Sequence, residues 1–146
     1  MKRYHLNKKE INNFINNLAK EYNINIIPKY DGRSKRAACC KTRDYFTITY
    51  GKNLINDDEY EQIRTLYHEL GHCVHDMSYR TIKQKEEAEF KAERFALDKL
   101  KELYPKIYKW RVNEGINELL DEEWASNRYY IHYRRAWKRI KEYNEK

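Results

Sequence analysis

His68, Glu69 and His72 stand in the order His-Glu-Leu-Gly-His, and these residue types at this spacing can do metal-assisted chemistry. On an α-helix, residues four apart share a face, one turn above the other. Two imidazoles placed that way can turn their nitrogens toward one Zn²⁺, about 2.0–2.1 Å from each. The glutamate between them can then reach a water on the same ion and act as its general base. Two histidines leave room for a third protein ligand and a reactive water, which is the open arrangement of a catalytic zinc site. The competing reading is an exposed helix that carries two histidines by accident. At roughly 100° per residue, Ile63, Leu66, Tyr67, Leu70 and Val74 form one apolar stripe. His68, His72 and His75 fall opposite, with Glu69 and Asp76 on the flank. A face turned to water would carry lysine, glutamate and glutamine instead. The pattern therefore predicts a helix with one face on a core and the other lining a cleft. Asn56 is the expected N-cap, with Glu59 completing a capping box and Asp57, Asp58 and Glu59 at the positive end of the dipole. Gly71 inside the helix points to close approach of another backbone beside the metal.

A durable zinc site needs a third ligand. His75 shares the histidine face, but it lies about 10.5 Å from His68 along the helix axis at 1.5 Å per residue. A cleft-lining or supporting role suits it better than coordination. The next helical segment offers Glu86, Glu87, Glu89 and Glu93. Glu86 and Glu87 read as a solvated acidic face. Glu89 sits at the edge of the packed face near Ala92 and Ala96, where two helices can approach closely, and is the favoured ligand. Glu93, one turn on, would orient His68 or His72. Glu93 and Glu86 remain the alternatives to Glu89.

These residues need a scaffold. The chain has 146 residues, enough for one domain with a core and too few for two ordinary ones. Ile11, Phe14, Ile15 and Leu18 give a helical stripe over about Lys8 to Tyr22. Ile24 to Ile27 is a short strand that Pro28 should end, and Asp31-Gly32 is a turn signal. Ala37 to Lys41 and Asp44 to Tyr50 have the make-up of strands. A second long helix runs from about Lys83 to Leu103. Its apolar side carries Ala88, Ala92, Phe95, Ala96, Lys99, Leu100 and Leu103, and Pro105 follows. The last third is helical again, through Val112, Ile116, Leu119 and Leu120, then Tyr130, Tyr133, Trp137 and Ile140. Helix, small sheet, then helices is an α+β pattern. The expectation is one domain over 1–146, a small β-sheet packed on the histidine helix with further helices C-terminal.

Composition narrows the class. No segment has the apolar length of a membrane span, and no signal-peptide core follows the basic start. Cys39, Cys40 and Cys73 are odd in number and lack Cys-x-x-Cys spacing, which argues against a disulfide framework and for a reducing cytoplasm. Cys39 and Cys40 read as small half-buried residues rather than metal ligands. The net charge is +7, and the stretch from Ala125 to Lys146 holds seven Lys or Arg against Glu142 and Glu145. That leaves the metal-site region nearly neutral. The run of Arg128, Arg134, Arg135, Lys138, Arg139 and Lys141, interleaved with Tyr129, Tyr130, Tyr133 and Trp137, lies in a basic aromatic region of about 106–146. It invites a second reading: a nucleic-acid-binding protein with a structural zinc. The aromatic residues have helical spacing, so a solvated basic face over an apolar stripe is the simpler account.

Thr65-Leu66-Tyr67-His68-Glu69-Leu70-Gly71-His72, then His75, then Glu89-Phe90-Lys91-Ala92-Glu93-Arg94-Phe95-Ala96 resemble the ImmA/IrrE family of zinc metallopeptidases. The family shows an Ala-His-Glu-Leu-Gly-His segment and, later, a segment whose first glutamate is the zinc ligand. By that match Glu89 is the third ligand. Lys91 stands where the family has a second glutamate, and Glu93 where it has Asn or Asp. The Leu-Leu-Met-Pro continuation is missing. The resemblance spans about Phe46 to Leu100. It implies a compact zincin-like domain holding one Zn²⁺, active in the cytoplasm on a protein substrate. Family members are often encoded by phages and mobile elements, and several cut a helix-turn-helix repressor. Glu69 would be the catalytic base, with His68, His72 and Glu89 on the metal. Tyr129, Tyr130 and His132 are candidates for stabilising the oxyanion. The Tyr45 to Tyr50 strand would be the sheet edge that pairs with an extended substrate. A catalytically silent zincin used as a binding module is the other alternative, against which an intact Glu69 argues.

Overall fold

The structure is a computed structural model that describes residues 5–33, 36–121 and 131–145. It is α+β, and the chain divides into two compact units, Met1–Val74 and His75–Lys146. In the first, helix α1 spans Lys8–Tyr22. Asn7 caps it in a full capping box, its side chain accepting from the Glu10 amide at 2.9 Å while Glu10 accepts from the Asn7 amide at 3.1 Å. Asn23 ends it in the left-handed region, with φ 52°. Ile11, Ile15 and Leu18 are buried, as their spacing predicts.

Strands β1 (Ile26–Tyr30), β2 (Ala37–Lys41) and β3 (Phe46–Tyr50) form one sheet in the order β1-β3-β2. β1 runs parallel to β3 and β2 antiparallel to it. Pro28 does not end its strand; it lies inside β1 opposite Ile48. Among the described residues β1 pairs on one side only, and an edge strand can spare an amide donor. Gly32, at φ 73°, makes the left-handed turn after β1, where Asp31 Oδ1 accepts from the Arg33 amide at 2.9 Å. β3 is the central strand, so the Tyr45 to Tyr50 segment is not the sheet edge expected from its sequence. Its aromatic and β-branched make-up reflects flanking on both sides, with Ile48 and Tyr50 fully buried.

Helix α2 (Lys52–Asn56) precedes α3 (Glu59–Val74). The α3 cap is Asp58, whose Oδ1 accepts from the Glu61 amide at 2.9 Å. Asn56 instead closes α2, because the chain makes a separate short helix before α3 begins. α1 packs on β1, and α3 packs on β2 and β3. The Phe14 and Tyr67 rings meet edge to face at 5.6 Å between α1 and α3. Gln62 anchors the N-terminal segment: its amide oxygen accepts from the Leu6 amide at 3.0 Å, and its nitrogen donates to the Leu6, Leu54 and Ile55 carbonyls.

The second unit is helical: α4 (Ile82–Leu103), α5 (Pro105–Trp110), α6 (Ile116–Asp121) and α7 (Ile131–Glu145). Thr81 and Gln84 form the capping box of α4. A π-helical turn, Arg111–Gly115, joins α5 to α6. α4 packs along α7 and against α5. Ala88, Ala92, Ala96, Leu97 and Leu100 of α4 are buried, as are Ala136, Trp137 and Ile140 of α7. Leu103, expected on the packed side, is exposed at the helix end. No helix among the described residues is long and apolar enough to cross a membrane.

Candidate metal centre

α3 owes its position to its apolar stripe. Leu66 and Leu70 are fully buried, and Ile63 and Tyr67 nearly so. Val74, the last member of the stripe, lies in the final turn and is exposed. The other face is not open to water either. Every residue from Gln62 to Gly71 is buried, with His68 at 7 % and Glu69 at 8 % exposure. The polar face therefore belongs to a helix buried all round, which explains why it carries histidines and carboxylates in place of a lysine-rich solvated surface.

The histidines are arranged as their spacing predicts. The His68 and His72 rings lie 4.9 Å apart between centroids and 80° to one another. His72, one turn nearer the helix end, is half-buried. Glu89 comes from the first half of α4 and is 4 % exposed, unusual for a carboxylate unless it is paired or bound. His68, His72 and Glu89 each offer one ligand atom, and these atoms lie within 4.8 Å of one another. Ligands tetrahedrally placed about 2.0–2.1 Å from one ion are roughly 3.3–3.5 Å apart. At its widest the group would need to contract by about 1.4 Å, and with two imidazoles and a carboxylate it could hold a metal ion.

Glu89 has a partner that the sequence did not mark. The Tyr79 hydroxyl donates to its Oε1 at 2.8 Å. Tyr79 sits in the irregular segment before α4, where no periodicity distinguishes it. Burial of the hydroxyl pushes the Tyr79 phenol well above its ordinary range, and the Glu89 charge adds to the effect. The tyrosine therefore stays a donor at neutral pH. His132, buried in the first turn of α7, has its Nε2 3.4 Å from the same hydroxyl. Burial lowers the His132 pKa, Glu89 works against that, and Lys85 adds to the lowering.

The remaining candidates separate cleanly. Glu93 is fully buried, and its Oε1 accepts from Arg111 Nε at 2.9 Å. That ion pair lies within the helical unit and gives Glu93 a buried partner on α5's C-terminal side. Glu86 and Glu87 are half-exposed, and both also bind Arg139 Nη1, at 3.1 and 2.8 Å. His75 is exposed and lies edge-on to Phe95, 6.0 Å between centroids. Tyr129, Tyr130 and Arg128 lie outside the described residues. In α7, Arg139 stacks over Phe90 at 4.0 Å and Arg134 donates to the Leu120 carbonyl at 3.1 Å. Two of the six basic residues that invited a nucleic-acid reading are thus engaged within the fold. Trp137, one of the interleaved aromatic residues, is buried.

Comparison of this chain with protein families, with characterised proteins and with solved structures returned no match.

Proposed function

We propose that this protein is a zinc-dependent metalloendopeptidase, with His68, His72 and Glu89 as metal ligands and Glu69 as general base. The carrying observation is the convergence of three donor atoms within 4.8 Å, with a buried glutamate in the same turn of α3. Zn²⁺ held there would supply a Lewis acid and bring the pKa of its water toward about 7. Glu69 accepts the proton from the attacking water and hands it to the leaving amine. Its burial strengthens these electrostatics relative to water. Tyr79 donates to one oxygen of Glu89 and so would orient the carboxylate for the cation.

A protein substrate follows from the resemblance to the ImmA/IrrE family, and a helix-turn-helix repressor is the favoured example. Substrate pairing by strand addition shifts from β3 to β2, because β2 is an edge strand and packs on α3.

The test is Glu69→Gln. The variant should retain one zinc per chain and lose cleavage of any helix-turn-helix repressor that the parent protein cuts, while chelation should silence the parent protein. A purified protein that holds no stoichiometric zinc at neutral pH ends this reading. Zinc binding without hydrolysis by the parent protein would favour the silent binding module.

A further inference from the structure

Cys39 and Cys73 are far apart in sequence, yet their sulfur atoms lie 3.1 Å apart. Neither is in a disulfide. A disulfide bond is about 2.05 Å long, so roughly 1 Å of approach separates the pair from a bond. Cys39 is the middle residue of β2, opposite Ile48, and Cys73 lies in the last turn of α3. Those two elements pack on each other, so the approach is fixed by the fold and not by a loop. Cys40 is exposed, and strand alternation turns it to the other face of the sheet. The partner of Cys73 is therefore specified.

We propose that Cys39 and Cys73 form a modification site at which a peroxide closes a disulfide between β2 and the end of α3. Cys39, the half-buried member, meets the oxidant first. Its sulfur attacks one peroxide oxygen, the O–O bond breaks, and Cys39 sulfenic acid and one water result. The Cys73 sulfur then attacks the Cys39 sulfur and displaces hydroxide, which leaves as a second water with the Cys73 proton. Two thiols lose two electrons to one peroxide, and a small thiol reverses the reaction by exchange. The closed bond would anchor the backbone immediately after His72. The proposal itself stands whether or not a metal is bound there.

The experiment treats the full chain with hydrogen peroxide, blocks remaining thiols by alkylation, and maps tryptic peptides without reduction. The expected product joins the peptide containing Cys39 to the peptide containing Cys73, with the loss of two hydrogens. It should persist in Cys40→Ser and vanish in Cys39→Ser. Because a substitution could disturb folding, the parent protein is also oxidised in urea. Folding should speed formation of this link by about tenfold or more, since the native chain holds the sulfurs together. Equal rates in folded and unfolded chains, a link that survives Cys39→Ser, or links only between separate chains would each overturn the proposal.

Discussion

The buried ion pair between Glu93 and Arg111 offers the sharpest test of the helical unit. Glu93 is fully buried, and the Arg111 side chain is only 4 % exposed. Arg111 also lies 5.8 Å from the Trp137 ring. Glu93→Gln keeps the shape but removes the negative charge that the buried guanidinium meets at 2.9 Å. Removing one member of such a pair costs about 3–5 kcal/mol. Against a typical total of about 5–15 kcal/mol, that is roughly a fifth of the stability or more. Replacing both members by methionine removes the uncompensated charge, so the double variant should recover most of the loss. Tryptophan fluorescence in a urea titration is a selective probe, because Trp110, Trp124 and Trp137 all fall within the second unit. The reasoning fails if Glu93→Gln unfolds within about 1 kcal/mol of the parent, or if the double variant loses as much as the two single changes summed.

Other outcomes follow from individual contacts. Tyr79→Phe removes the hydroxyl on Glu89 and should weaken zinc binding about 10–100-fold, read by competition with a chromogenic chelator; an unchanged affinity would remove Tyr79 from the site. Gln62→Ala strands the Leu6 amide and carbonyl and should cost about 2–4 kcal/mol, with loss of hydrogen-exchange protection at Leu6. Burial raises the Tyr50 phenol, Tyr30 adds to this, and the bond to Asn12 opposes it. The unfolded chain therefore releases that proton first, and stability falls as pH rises through about 10. Tyr50→Phe should lower stability near pH 8 through the lost hydrogen bonds, yet lose less of it between about pH 8 and 10.5 than the parent. Equal losses in urea titrations would refute that.

Much of the scaffold was legible because periodicity acts locally. The stripe of Ile11, Ile15 and Leu18, the strand compositions of β2 and β3, and the long α4 all follow from side-chain spacing and backbone preference. The histidine pair was legible for the same reason, since four residues on a helix make one turn whatever surrounds it. Sequence also favoured Glu89 over its neighbours, by its place beside Ala92 and Ala96. Strand order was a different matter. Nothing within residues 46–50 says whether another strand lies on one side or both, and Pro28 reads as a strand end until β1 is seen to be an edge. The burial of His68 and Glu69 was equally hidden, because a polar helix face looks the same in sequence whether it meets a cleft or a covered interior. Sequence separated the four glutamates of α4 by helix face, but it could not name their partners. Tertiary structure gave Glu93 to Arg111, Glu86 and Glu87 to Arg139, and Tyr79 to Glu89. Local spacing determines what a segment can present, and only long-range packing decides which charge each carboxylate meets.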